Sequence, residues 1–367
     1  MKLAVVAGEA SGDLHAADVL KELKKLDPAF QAFGIGGDSM IRQGFVALHH
    51  AREMGIVGLF NVIRHLRMFR RIFDELIARI AAERPDAVLL VDYPEFNLRV
   101  ARKAKELGLP VIYYISPQIW AWRRGRVKRI ARYVDEMIVI LPFEEEFYRT
   151  HGVKVKYVGH PLVEQLAMMR RAPRREDVLR IALLPGSRRM EVDALLPPML
   201  RAVEMLRRER NVDAYIMRAP TIELDHLQRI AQRTGVDVPI LPHDRGEGLT
   251  AADVALSSSG TATLEAAILG TPAVVMYRLS PLTHLAARWL VKVPYFSLVN
   301  IIAGSEVVPE LVQSDVTGAR IAAEVKRLLE PSTYARVTQE LVAIREKLGQ
   351  PGASRRAAEA IMARANP

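Results

Sequence analysis

Apolar runs and amphipathic stretches alternate along this chain from end to end. The runs Leu3–Ala7, Ala32–Ile35, Ala87–Val91, Val111–Ile115, Met137–Leu141 and Val155–Val158 predict strands. Between them, Asp13–Leu26, Val62–Ala82, Leu98–Leu107, Arg126–Tyr133 and Phe143–Thr150 carry a helical period. Pro85-Asp86 and Gly108-Leu109-Pro110 mark helix-to-strand joints. A second series follows: strand Ile181–Leu184, a helix from about Val192 to Arg210, strand Ala214–Met217, helix Glu223–Thr234 and strand Pro239–Leu241. It closes with strand Val254–Leu256, helix Thr261–Leu269 and strand Ala273–Tyr277, and a helical tail from Ala319 with breaks at Pro331 and Gly349–Gly352. Such alternation predicts α/β domains, parallel sheets covered by helices, with a cleft between the two. The basic, Pro-containing segment Arg170–Arg175 reads as a linker. The predicted division is 1–168, linker 169–178, 179–345, and a closing helix 346–367 returning toward the first domain.

Ligands of open parallel sheets bind beyond the C-terminal strand ends, so the residues there carry the chemistry. After Val254–Leu256 comes Ser257-Ser258-Ser259-Gly260-Thr261, a small-residue turn into a helix, with Glu265 one turn in. Free backbone N–H groups at that helix start suit a phosphate, and Glu265 suits two ribose hydroxyls. Ser and Thr also cap helices without any ligand, but Glu265 is not at the spacing of a capping box from Thr261. After the first strand, Gly8-Glu9-Ala10-Ser11-Gly12-Asp13 permits a tight turn. A turn plus cap explains Gly8, Gly12 and Asp13 but leaves Glu9 over. Asp92 ends the apolar run Ala87–Val91 abruptly, and partial burial there raises a carboxylate toward the range of a general base. The plain alternative is a helix cap, a task for which Asn97 is the better candidate. Leu184-Pro185-Gly186-Ser187-Arg188 offers a second phosphate nest, with Arg188 as its cation.

Composition narrows the field. The chain has 367 residues, with 52 Lys+Arg against 42 Asp+Glu and a formal charge of +10, which favours anionic partners without choosing among them. Cysteine is absent, which removes disulfides and thiolate chemistry, and the nine His lack the i, i+4 pairing of a metal site. No uncharged run reaches the ~20 residues of a spanning helix, so a cytoplasmic chain able to touch a membrane is expected. Gly34-Ile35-Gly36-Gly37 lacks the last glycine of a dinucleotide fingerprint, and no Walker loop, nucleophile elbow or Asp-x-Asp occurs. In the segment 59–73, Leu59, Val62, Ile63, Leu66, Phe69 and Phe73 form one stripe and Arg64, Arg67, Arg70 and Arg71 the opposite side. That pattern suits either an anionic lipid surface or a core-facing helix with a solvated basic face.

Taken together, Gly8–Asp13, Met54-Gly55-Ile56-Val57, Asp92–Asn97, Ser116-Pro117-Gln118-Ile119-Trp120-Ala121-Trp122-Arg123, Leu141-Pro142-Phe143-Glu144 and Gly159-His160-Pro161-Leu162 fall in a recognisable order. With Leu184–Arg188, Ser259–Glu265 and Ser297-Leu298-Val299-Asn300, the chain resembles the lipid-A-disaccharide synthases over nearly its whole length. The resemblance implies a glycosyltransferase-B fold of two Rossmann-like domains facing across a cleft. It implies inverting transfer of 2,3-diacylglucosamine from UDP to the 6-hydroxyl of 2,3-diacylglucosamine 1-phosphate, with no metal or cofactor. It assigns Asp92 and Arg188 to catalysis. Gly8, Glu9, Ser11, Gly12, Gln118, Gly186, Ser187, Ser259, Gly260, Thr261, Glu265 and Asn300 fall to substrate and UDP binding. The implied partners are a UDP-sugar donor, an acylated glucosamine phosphate acceptor and an anionic membrane surface, with no nucleic acid. The chain would then work at the inner face of the cytoplasmic membrane without spanning it.

Three positions depart from the family's usual residues: Gly58 for Glu, Glu95 for Asp and Val299 for Pro. The rival readings are another UDP-sugar enzyme of the same fold, a lipid glycosyltransferase or an epimerase, and a non-catalytic nucleic-acid-binding protein. The last suits the charge alone, and its basic residues lack interleaved aromatics.

Overall fold

The structure, a computed structural model, describes residues 1–55, 62–122, 124–242, 246–278 and 293–365. It divides into two compact units, Met1–Pro161 with Gly349–Pro367, and Leu162–Leu348.

In the first unit the strands are β1 (Lys2–Ala7), β2 (Gln31–Gly36), β3 (Val46–His50), β4 (Ala87–Val91), β5 (Val111–Tyr114), β6 (Glu136–Val139) and β7 (Val155–Tyr157). They form one sheet in the order β3-β2-β1-β4-β5-β6-β7, every pair parallel. Central strands covered on both faces must be apolar throughout, which is why β4, Ala-Val-Leu-Leu-Val, is buried at all its positions. β3 was not expected. It lies on the sheet edge with Val46 exposed and two His at its end, so it lacks the apolar run of a covered strand.

The second unit repeats the plan with β8 (Leu179–Leu184), β9 (Val212–Arg218), β10 (Ile240–Pro242), β11 (Val254–Ser258), β12 (Ala273–Tyr277) and β13 (Glu310–Val312). The order is β10-β9-β8-β11-β12-β13, again parallel throughout. The edge strand β13, which opens on Glu310 and lacks an apolar run, also went unread. In each sheet the chain reverses its direction of winding beside the unit's first strand: β1 lies between β2 and β4, β8 between β9 and β11. The loops after β1 and β4, and after β8 and β11, therefore open at topological switch points, where ligands of such sheets bind.

The segment expected as a linker belongs to the second unit. Arg171 donates to the carbonyls of Gly270 (2.6 Å) and Ala252 (3.2 Å), and the Ala172 N–H donates to Thr250 (2.9 Å). The division falls instead between Pro161 and Leu162. At the far end, the helix Ala353–Ala365 buries Ala353, Ala357, Ala358 and Ile361 within the first unit, packed on the helix Ala10–Leu26. Arg356 Nε donates to the Val158 carbonyl at 2.8 Å.

The amphipathic stretch becomes the helix Val62–Glu83, while residues 56–61 at its start, Gly58 and Leu59 included, lie outside the described ones. Ile72, Leu76 and Ile80 are fully buried, and Phe69 and Phe73 pack against the same core, with Phe73 edge-on to Phe96 at 5.8 Å. The described part of the stripe thus faces the core, not a lipid surface. Arg70 and Arg71 stand in solvent, paired with Asp74 and Glu75 one turn on.

Candidate functional site

The first unit gathers its candidates where β1 and β4 end side by side. After Val91 the backbone takes two successive left-handed residues, Asp92 and Tyr93 (φ 47° each), before Pro94 opens the helix Pro94–Glu106. Non-glycine residues held so cost about 1–3 kcal/mol each and need a surrounding lock. Asn97 Nδ2 donates to the carbonyls of Asp92 (2.7 Å) and Val91 (3.1 Å), and the Tyr113 hydroxyl donates to the Asp92 carbonyl. Asn97, expected as a helix cap, is thus a buried clamp inside the helix, whose cap position is Tyr93. The Asp92 carboxyl is half-buried, and its pKa is pushed up to about 6, chiefly by burial and secondly by the nearby Glu9 carboxylate.

Around Asp92 the residues of the first loop divide. Glu9 is exposed and caps the helix Ala10–Leu26 without a side-chain hydrogen bond. Gly8 is required: a Cβ there would stand 2.6 Å from the Tyr93 ring, so the two loops interlock only through a bare backbone. Gly12 packs on Ala7 and Val91 at ordinary distance, and Ser11 is exposed in the first helical turn. Asp13 is structural. Its carboxylate accepts the N–H groups of Gly37 (2.7 Å), Ser39 (3.0 Å) and Met40 (3.1 Å), leaving it no part in proton transfer.

Gln118 is exposed beside the short helix Ile119–Trp122. Behind it lies a polar group that the sequence did not reveal. Glu144 is fully buried, accepting from Trp120 Nε1 at 3.1 Å and from the Leu141 N–H at 3.2 Å, while Ser116 Oγ meets the Tyr148 hydroxyl at 2.6 Å. Burial lifts the Glu144 pKa to about 8, its hydrogen bonds opposing the shift.

In the second unit, Gly186, Ser187, Arg188, Ser259, Gly260, Thr261 and Glu265 line one cavity of about 380 Å³. Gly260 precedes the helix Thr261–Ile268, whose start no side chain caps, and the space beside Gly260 is open. That helix end is available to an anion. The Gly186–Arg188 turn is different. Glu191, not anticipated as a site residue, places Oε2 against the N–H groups of Ser187 (3.2 Å) and Arg188 (3.3 Å), and Oε1 at 3.0 Å from Arg188 Nη1. Gly186 sits at φ 122°, and a Cβ there would meet that carboxylate at 2.5 Å, so both the backbone and the space require glycine. The nest expected to hold phosphate is therefore filled by the chain's own carboxylate, three residues into the helix that Arg188 caps. Arg188 itself is 79% exposed at the cavity, tied to Glu191.

Asn300, expected among the ligand-binding residues, is held by the fold itself. It is fully buried, donating to the Val308 carbonyl and Glu310 Oε1 (2.8 Å each) and accepting from the N–H groups of Val307 (2.9 Å) and Val308 (3.0 Å). A carboxamide makes four such bonds, so none remains for a substrate. Among the described residues no group of three or more His, Cys, Asp or Glu could hold a metal ion.

The family described as Lipid-A-disaccharide synthetase matches residues 3–364. The chain belongs to the lipid-A-disaccharide synthase family. The lipid-A-disaccharide synthase of Myxococcus xanthus is 44% identical over 371 residues, covering 98% of this chain and 97% of the relative. That of Geobacter sulfurreducens is 39% identical over 373 residues, covering 98% and 96%. Among solved structures, UDP-GlcNAc 2-epimerase from Neisseria meningitidis superposes with TM-score 0.67 at 13% identity, covering 99% of this chain and all of that one. MurG of Acinetobacter baumannii does so with TM-score 0.60 at 14% identity, covering 99% of both. These likenesses show the fold, the glycosyltransferase-B type. Membership of the synthase family, not the fold, decides between glycosyl transfer and epimerisation, and makes the chain a glycosyltransferase of lipid A disaccharide formation.

Proposed function

We propose that the chain joins UDP-2,3-diacylglucosamine to 2,3-diacylglucosamine 1-phosphate, with Asp92 as general base and the cavity at Arg188 and Glu265 as the donor's nucleotide site. The observation that carries the roles is the Asp92 carboxyl, poised at about pKa 6 at the switch point of the first sheet. A carboxylate of that basicity accepts the proton of the acceptor's 6-hydroxyl as the oxygen bonds to the anomeric carbon. The bond from that carbon to the UDP β-phosphate oxygen breaks on the opposite face, its electron pair leaving with UDP, and the configuration inverts to β. The helix start at Gly260–Ala262 contributes about 0.3–2 kcal/mol to the departing diphosphate, against the ~8 kcal/mol or more that enzymes typically supply. Arg188, the base and the alignment of two substrates supply most of the rest. Glu265 takes the ribose hydroxyls.

Action at an anionic membrane surface is supported by the formal charge of +10 and by the acyl chains of both substrates. Among the described residues no helix is long and apolar enough to cross a membrane. The test is Asp92→Asn: disaccharide formation falls by about 10²–10⁴, with UDP affinity unchanged. Near-parental turnover in the purified variant removes Asp92 as base.

A further inference from the structure

On the second unit the helices Arg189–Arg207 and Leu224–Thr234 face each other across a groove that shares no lining residue with the nucleotide cavity. The first helix lines it at four-residue steps, Arg189, Asp193 and Arg201 among them, and the second adds His226, Arg229 and Arg233. Residues so spaced share one face of a helix, so the six project into a single cavity of about 530 Å³.

The groove concentrates positive charge. On several other helices an arginine is answered by an acid one turn away: Arg71 by Glu75, Arg102 by Glu106, Arg320 by Glu324, Arg355 by Glu359. In the groove Arg229 has Arg233 one turn on, a like-charge pair that destabilises a helix. Asp225, one turn back, does not line the groove, and no ion pair joins it to Arg229 among the described residues. One turn from Arg189 is Asp193, whose Oδ1 is engaged by the buried His226 Nε2 at 2.8 Å. Arg229 Nε donates only to the Asp225 carbonyl, at 3.1 Å. Four guanidinium groups thus line one concavity against a single lining acid, Asp193.

We propose that this groove is a second anion site, which takes a doubly charged phosphate group, a phosphomonoester or pyrophosphate. Planar guanidinium forks approaching from two helices match its oxygens, and its charge relieves their mutual repulsion. A lipid headgroup and a free phosphate present the same chemistry.

The experiment titrates the full chain with inorganic pyrophosphate by calorimetry, and in parallel floats it on vesicles of phosphatidylcholine with or without phosphatidic acid. Parent, Arg188→Ala, Arg201→Gln/Arg229→Gln and Arg201→Glu/Arg229→Glu are compared, with thermal unfolding to confirm the fold. All the substituted side chains are exposed. Of two pyrophosphate sites expected in the parent, that in the nucleotide cavity weakens in Arg188→Ala, whereas the groove site is expected to persist there, to weaken about tenfold or more in the Gln pair, to vanish in the Glu pair, and to fall with added salt. Loss of phosphatidic acid flotation in the same pairs identifies a lipid source. Unchanged flotation, or none in the parent, with the pyrophosphate effect intact, identifies the free anion. Equal pyrophosphate affinity in parent and Glu pair, loss of all binding in Arg188→Ala, or no binding of either probe by the parent overturns the proposal.

Discussion

Asp92 owes its basicity to two neighbours of unequal weight, burial first and the Glu9 carboxylate second. Only its ionised form accepts a proton, so kcat/KM is expected to rise with pH through about 6. In Glu9→Gln that rising limb moves to lower pH yet stays above an ordinary aspartate, because the larger cause is untouched. A pH–rate profile of both forms checks this. Glu191 can be dissected the same way. Glu191→Gln keeps an acceptor for the Ser187 and Arg188 amides and for the Arg188 side chain, whereas Glu191→Ala leaves the exposed amides to water and Arg188 unheld. Calorimetry with UDP is expected to show the Ala variant about tenfold weaker than the Gln variant, the scale of one hydrogen bond that places a charged group. Asp92 was legible in the sequence because a charge ends an apolar run abruptly. The bonds of Asn300 were not legible, because a polar residue on a short helix looks alike whether it faces a ligand or the backbone. Asp13 reads as a cap in the sequence, and its partners, Gly37 and the short helix Asp38–Ile41, lie more than twenty residues on, which no local pattern foretells.

Among the elements, those with a clear apolar run or stripe were the readable ones. The strands β1, β4, β8, β11 and β12 announced themselves by unbroken apolar runs. The edge strands β3 and β13 lack an apolar run, β3 ending in two His and β13 opening on Glu310, whereas the edge strands β7 and β10, as short as β13, were legible. The helix Val62–Glu83 had the period of either a core face or a membrane face, and only the placement of Ile72, Leu76 and Ile80 decides it. The packing of the helix Pro142–Arg149 carries a pH signature through Glu144. Its folded pKa is about 8 against an ordinary 4.5, so across that window the folded chain holds a proton that the unfolded chain has released. Stability therefore falls as pH rises through this range. His15 (about 4) and His160 (about 3), both lowered chiefly by burial, act oppositely, but only below their ordinary 6.5. Thermal unfolding between pH 6.5 and 8 isolates the carboxyl. There the parent's midpoint is expected to drop, while Glu144→Gln, neutral throughout, stays level.

For the whole molecule, two parallel sheets with the same reversal beside their first strands were foreshadowed by the alternating pattern, and the family follows from motifs set along its length. The boundary was not. A basic, proline-bearing stretch resembles a linker in composition, yet Arg171 is anchored by backbone carbonyls of the second unit, contacts that exist only once the sheet has formed. The closing helix Ala353–Ala365 is part of the first unit's core, with Ile361 fully buried. Ile361→Ala is expected to destabilise that unit by about 2–5 kcal/mol. Hydrogen exchange should quicken in Met1–Pro161 and leave Leu162–Leu348 as protected as before.

That closing helix also sets an order of events on the ribosome. The segment Leu162–Leu348 emerges whole and can collapse as soon as it clears the exit tunnel, whereas the residues before it wait for Ala353–Ala365 to be translated. Throughout that interval the helix Ala10–Leu26 lacks the neighbour that covers one of its sides, so the half made first is the half completed last.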